Sequence, residues 1–141
     1  MYDITAVILK IIKVLRVHED VKEPDVIRKY HYGEPVRKDR FPIAWVGFHG
    51  GRTEPDSFGI YKHNHLYSIT VADQSHVTDA AEKSVHGLAK KIDDVLKADA
   101  TLGGLVKDTV LVNIPDPQSK REKDWAKSKL RLDYQITVLE E

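Results

Sequence analysis

Apolar residues recur at spacings of three and four near the start of the chain. Ile4, Val7, Ile8, Ile11, Ile12 and Leu15 fall on one helical face, and Lys10, Lys13 and Arg16 on the other. Asp3 stands where an N-cap belongs. The helix fades near His18, and Pro24 forbids its continuation. A short strand is expected over Val26 to Tyr32, ended by Gly33 and Pro35. A second, Ile43 to Phe48, is almost continuously apolar, as in a central or doubly covered strand. From His49 to Asn64 periodicity is lost among Gly50, Gly51, Pro55, Asp56, Ser57 and Gly59, which predicts a long loop. Alternation resumes from His65 to Ala72, with Tyr67, Ile69 and Val71 on one face.

A second helix follows, capped at Thr78 or Asp79, with Asp79-x-x-Glu82 at capping-box spacing. Ala81, Val85, Leu88, Ile92, Val95 and Leu96 form its apolar stripe, and it stops before Gly103-Gly104, a turn that calls for positive φ. Val106 to Ile114 reads as a strand ended by Pro115 and Pro117. From Ala126 to Val138 alternation is nearly complete. Ala126, Ser128, Leu130, Leu132, Tyr134, Ile136 and Val138 point one way, and Lys127, Lys129, Arg131, Asp133, Gln135 and Thr137 the other. The pattern predicts an α+β domain of order α-β-β-β-α-β-β. Two helices cover one face of a mostly antiparallel sheet of four to five strands. A single domain is expected over 1–141, with a long β-hairpin loop at about 49–64 and a charged connector at about 115–125.

Charge changes the functional picture more than the fold. Lys plus Arg and Asp plus Glu both number 22, so the net charge is zero. A dedicated nucleic-acid binder needs a basic excess to displace phosphate counterions. Neutrality also removes the self-repulsion that opposes association. There is no cysteine, which excludes disulfides, thiolate zinc and a cysteine nucleophile. The apolar run at Ile4–Val17 is too short and too charged to span a bilayer. It also lacks the charge order and cleavage site of a signal peptide, so no membrane association is expected.

Candidate chemistry is thin. His63-x-His65 is the one metal-like spacing, and His49 or His31 would have to supply a third ligand. Seven scattered histidines without a partner pattern favour no metal. Gly50-Gly51-Arg52 lacks the frame of a phosphate loop. No serine sits in a nucleophile elbow, and the adjacent pair Asp93-Asp94 diverges on a helix. Lys83, His86, Lys90, Lys91 and Lys97 make a mild basic face, and an α-β-β-β-α order is also that of double-stranded RNA-binding domains. Asp79, Glu82, Asp93, Asp94 and Asp99 dilute the charge. Neither enzyme activity nor a cofactor is expected. Phe58, Tyr61 and Trp125 are aromatics in polar surroundings, the residue type that anchors protein interfaces.

The order of elements resembles the tail terminator family of long-tailed phages and related tailed viruses, the minor tail proteins of the lambda U type. The likeness rests on Phe41-Pro42-Ile43-Ala44-Trp45-Val46, the Gly/Pro-rich hairpin, the strand His65 to Ala72 and the long helix. It also includes the turn Asp99-Ala100-Thr101-Leu102-Gly103-Gly104-Leu105-Val106 and the closing Tyr134-Gln135-Ile136-Thr137-Val138. The resemblance implies a non-enzymatic virion protein assembled in the host cytoplasm. Such proteins form a ring, commonly of six copies, that caps the head-proximal end of the tail tube and ends its polymerisation. Implied partners are further copies of the chain, the tail tube protein and the head–tail connector. Genomic DNA passes through the channel without sequence-specific binding. A head completion protein of the neck is the alternative within this class, and a nucleic-acid-binding module lies outside it. The contact residues expected for the role are Arg52, Asp56, Phe58 and Tyr61 on the hairpin, and Lys127, Lys129, Arg131 and Asp133 on the last strand.

Overall fold

The computed structural model describes residues 1–38 and 40–141, with Thr78 described by its backbone only. The chain is an α+β domain. The elements in order are α1 (Ile4–Val17), β1 (Lys29–Tyr32), β2 (Ile43–Ser57), β3 (Ile60–Ser75), α2 (Thr78–Ala98), β4 (Asp108–Asn113), β5 (Gln118–Glu122) and β6 (Trp125–Glu140). They build one mostly antiparallel sheet in the order β1-β2-β3-β6-β4, with β5 also paired to β6 and β1 parallel to β2.

Both helices lie on the same face of the sheet. Val7, Ile8, Ile11, Ile12 and Leu15 of α1 share one core with Val85, Leu88, Ile92, Val95 and Leu96 of α2. The sheet contributes Ala44, Val46, Tyr67, Ile69, Val71 and the row Leu130 to Val138 to that core. Each fully buried aliphatic side chain contributes about 1.5–3 kcal/mol. On the opposite face, Ile43, Trp45 and Ala72 form a small apolar patch with Phe41. Asp3 caps α1 as expected, its Oδ1 accepting the Ala6 N–H at 3.1 Å.

Three local expectations change. The segment 49–64 is not a loop. β2 and β3 stay paired from Ile43↔Ala72 out to Ser57↔Ile60, and only Phe58 and Gly59 turn the chain. Turn-forming residues obscured the strand because most of β2 beyond Phe48 is exposed and no longer alternates. The connector contains the short strand β5, which pairs Gln118–Glu122 with Lys129–Trp125. α2 begins at Thr78 with Val77 at the N-cap and no side-chain cap. Glu82 instead accepts the Ser119 hydroxyl at 3.0 Å, so it closes no capping box. Asp93 diverges from Asp94 and turns toward the sheet. It accepts the Tyr134 hydroxyl at 2.9 Å and pairs with Lys97 at 2.9 Å. The turn after α2 does use positive φ at Leu102, Gly103 and Gly104.

Register sets the shape of the sheet's two edges. β4 faces β6 from Thr137 to Asp133, and β3 faces the same stretch with Asn64 to Ser68. β2 faces that part of β3 with Arg52 to Gly47. β1 covers β2 only from Ile43 to Val46. Among the described residues, neither β4 nor the β2 arm beyond Val46 has a strand on its outer side.

Candidate functional site

One irregularity in β2 decides which side chains meet. Phe48 stands opposite Tyr67 and Gly51 opposite His65, so β2 spends three residues where β3 spends two. This is a β-bulge, and it reverses the parity of the strand. Before it, Ala44, Val46 and Phe48 face the helices. After it, Thr53 and not Arg52 lies on the His63–His65 side. Glycine is needed at the bulge. Gly50 and Gly51 have φ of 79° and 151°, and a Cβ on Gly51 would stand 2.3 Å from the Asn64 carbonyl oxygen.

The bulge completes a chain of polar side chains at the end of the core. His63 and His65 are buried, at 3 % and 4 % exposure. Glu140 Oε1 lies 3.0 Å from His63 Nε2, and Thr53 Oγ1 lies 2.8 Å from His63 Nδ1 and 3.2 Å from His65 Nε2. The Tyr2 hydroxyl is 2.7 Å from both His65 Nδ1 and the Tyr67 hydroxyl. A carboxylate only accepts, so His63 donates from Nε2 and its Nδ1 accepts the Thr53 hydroxyl. Thr53 then accepts from His65 Nε2–H, His65 Nδ1 accepts from Tyr2, and Tyr2 accepts from Tyr67. With both imidazoles neutral, every bond runs toward Glu140. A proton added at His63 Nδ1 turns that nitrogen into a donor and reverses the direction from Thr53 to Tyr67.

Burial pushes the Tyr67 pKa up, and the hydrogen bond to Tyr2 adds to it. Burial raises Tyr2 as well, so both phenols keep their protons at neutral pH. Burial, then the neighbouring His63, holds His65 below its ordinary value. Phe48 closes the cluster edge-on, 5.5 Å from His65 and 5.2 Å from Tyr67 between ring centroids.

Glu140, His63 and Thr53 follow the carboxylate–imidazole–hydroxyl order of a nucleophile triad. The Thr53 oxygen is nevertheless wedged between two imidazoles, accepting from one and donating to the other. Three grooves on the surface have walls formed by other residues. The arrangement ties the hairpin arm to the start of α1 and to the end of β6. His63 and His65, the metal-like pair, spend all four ring nitrogens in this network.

The expected contact residues form two groups. Arg52, Asp56, Phe58 and Tyr61 lie on the outer part of the β2–β3 hairpin. Arg52 and Asp56 are exposed, Tyr61 is half exposed, and Phe58 is fully exposed at the tip with φ of 33°. Lys127, Lys129, Arg131 and Asp133 line the open face of β6, the first three along its outward row. Lys127 reaches Glu122 at 3.8 Å, and Lys129 and Arg131 border a groove of about 470 Å³ with Trp45, His49 and Thr70. Asp133 departs from the exposure of that row. It is 9 % exposed, held by Arg131 Nε at 2.9 Å and by Asn113 Nδ2 at 3.3 Å. β4 runs beside β6 at this level and covers it. Trp125 stacks on His76 at 4.0 Å between ring centroids.

Sequence reasoning missed Thr53, Tyr2 and Glu140. Their convergence depends on the bulge and on pairing between distant parts of the chain. The one available signal was parity, since His63 and His65 extend the buried row Tyr67, Ile69, Val71 backwards by two-residue steps. No family model matches this chain, and a search of curated proteins finds no match either.

Proposed function

We infer that the chain is a structural ring subunit that acts by edge-to-edge association, in the role of a tail terminator of a tailed virus. The observation that carries this reading is the level of the two open sheet edges. The β2 arm and β4 lie at opposite ends of the same rungs of the sheet, the rungs that cross β6 from Thr137 to Asp133. An unpaired edge is a template for another strand. β2 and β4 run in opposite directions, so copies pointing the same way would pair antiparallel. Edges at one level join by rotation without translation along the strands. A head-to-tail contact of that kind closes into a ring when its rotation divides a full turn, whereas offset edges propagate a filament.

Side chains at the edges support the same reading. Val110, Val112 and Ile114 are each about half exposed on or just beyond β4, and Phe58 and Tyr61 are exposed on the hairpin. A row of half-exposed branched residues on an edge strand suits burial against another copy. The particle itself comes from the resemblance to tail terminators, carried by the order of elements and the turn from Asp99 to Val106. In that role the hairpin arm and the open face of β6 meet further copies, the tail tube protein and the head–tail connector, and DNA passes through the ring.

Solution mass and negative-stain imaging of the purified protein, alone and mixed with tail tubes or heads, test the assignment. A closed ring, or a monomer that closes on tube ends, is the expected result. Binding to heads alone would move the protein to the head-completion side of the neck. A monomer indifferent to both would remove it from the particle.

A further inference from the structure

One rung of the sheet carries opposite charges at its two ends. Arg52 stands opposite Asn64, Asn64 opposite Thr137, and Thr137 opposite Asp108. Residues on one rung point to the same face, and the Thr137 hydroxyl donates to Asn64 Oδ1 at 2.9 Å along this row. The row begins in a cation and ends in an anion, both exposed. Asp108 Oδ1 also accepts the Thr109 N–H at 2.9 Å, which holds the carboxylate beside its strand. On the helix side, the rung through Tyr67 and Tyr134 runs from Phe48 to Leu111. Phe48 is 36 % exposed, and Leu111 is only partly buried against the core.

We propose that a second copy of the chain lays its β4 along the β2 arm in this same register, its Asp108 opposite Arg52 and its Leu111 opposite Phe48. The proposal rests on the ring reading above and adds the alignment of the contact. Among the described residues, β2 beyond Val46 and β4 carry no strand on their outer sides. Each edge spans the rungs from Thr137 to Asp133 with six residues, Arg52 back to Gly47 on β2 and Asp108 to Asn113 on β4. They match because each carries one irregularity, between Phe48 and Gly51 and between Leu111 and Asn113. β2, β3, β6 and β4 are antiparallel neighbours, an even number, so inward and outward peptide groups return in phase where the two edges meet.

Charge selects this alignment over its neighbours. A slip of one residue would put Arg52 and Asp108 on opposite faces. A slip of two brings Asp108 opposite Glu54, an acid against an acid, or opposite Gly50, which offers no side chain. Of these registers, only the level one pairs opposite charges. An exposed ion pair adds little strength, so the main-chain ladder and the apolar side chains supply the adhesion and the charges supply the register.

The chain has no cysteine, so introduced cysteines report on the contact. Arg52→Cys and Asp108→Cys proteins, prepared separately and mixed under mild oxidation, should give several-fold more disulfide-linked dimer than either gives alone. Facing Cα atoms in an antiparallel pair lie about 4.5–5.5 Å apart, within disulfide reach. Inside one chain the two positions are three strand spacings apart, about 14 Å, too far for a bond. Arg52→Cys mixed with Asn113→Cys, at the far end of β4, should give no such excess. Independently, Arg52→Asp should weaken association about fivefold, and adding Asp108→Arg to it should restore association. The solution mass of the native protein separates this register from the reading beneath it. Native oligomers with neither the preferred cross-link nor the charge-swap rescue would overturn the register and leave the ring standing. A native chain that stays monomeric, in solution and on tube ends, would remove the ring and this contact with it.

Discussion

His65 occupies the middle of a hydrogen-bond chain, between the Thr53 hydroxyl at Nε2 and the Tyr2 hydroxyl at Nδ1. Its surroundings are His63, Tyr2 and Tyr67, with Glu140 beyond His63. Burial and then His63 hold its pKa below the ordinary 6.5. The unfolded chain therefore takes up a proton near 6.5 while the folded imidazole still resists. In that window the unfolded state binds more protons, so stability falls as pH drops through the unfolded value and levels off below the folded one. Melting temperature should decline between about pH 7.5 and pH 5.5, and His65→Gln should flatten that decline. An equal slope in both proteins would exclude His65 as its source. None of this was legible from the His-x-His spacing, which signals shared orientation on a strand. The partners that complete the network are 10 to 77 residues away along the chain.

Among the elements, the bulge in β2 has the largest consequence for its size. It places Thr53 between two histidines and turns Arg52 to the open face. Gly51→Ala would drive a Cβ to 2.3 Å from Asn64 O and 2.7 Å from His65 Cα, both backbone atoms that cannot step aside. Gly50→Ala meets nothing within 4 Å and pays only for its positive φ of 79°. Denaturant unfolding should show Gly51→Ala losing about 3 kcal/mol or more. Gly50→Ala should lose about 1 kcal/mol. Similar losses at both positions would mean that the bulge relaxes freely. β6 makes the opposite case. Its alternation was readable almost residue by residue because one face is buried along its whole length, and Asp133 departs only where β4 covers it.

At the scale of the molecule, among the described residues, the sheet ends at a common level in two edges that pair with no further strand. The edge geometry makes a specific demand on β4. Val112 is 49 % exposed beside the outer edge, so a lysine there leaves the core intact and places a charge in any strand-to-strand contact. Val112→Lys should keep the fold by circular dichroism and, on the ring reading proposed above, shift the solution mass from ring to monomer. A variant that still closes would place the subunit contact away from β4.

Local periodicity determined the two helices, their buried faces, the long closing strand and the α+β class, because those features depend on neighbours within a turn or a pleat. Composition determined that the chain carries no net charge. Tertiary structure alone decided the length of the hairpin arm, the sixth strand and the union of Tyr2, Thr53, His63, His65, Tyr67 and Glu140. Among the described residues, it also decided which edges of the sheet carry no further strand. Each of these depends on strand register and on one inserted residue, and an exposed strand has no buried face to write its pairing into the pattern of apolar positions.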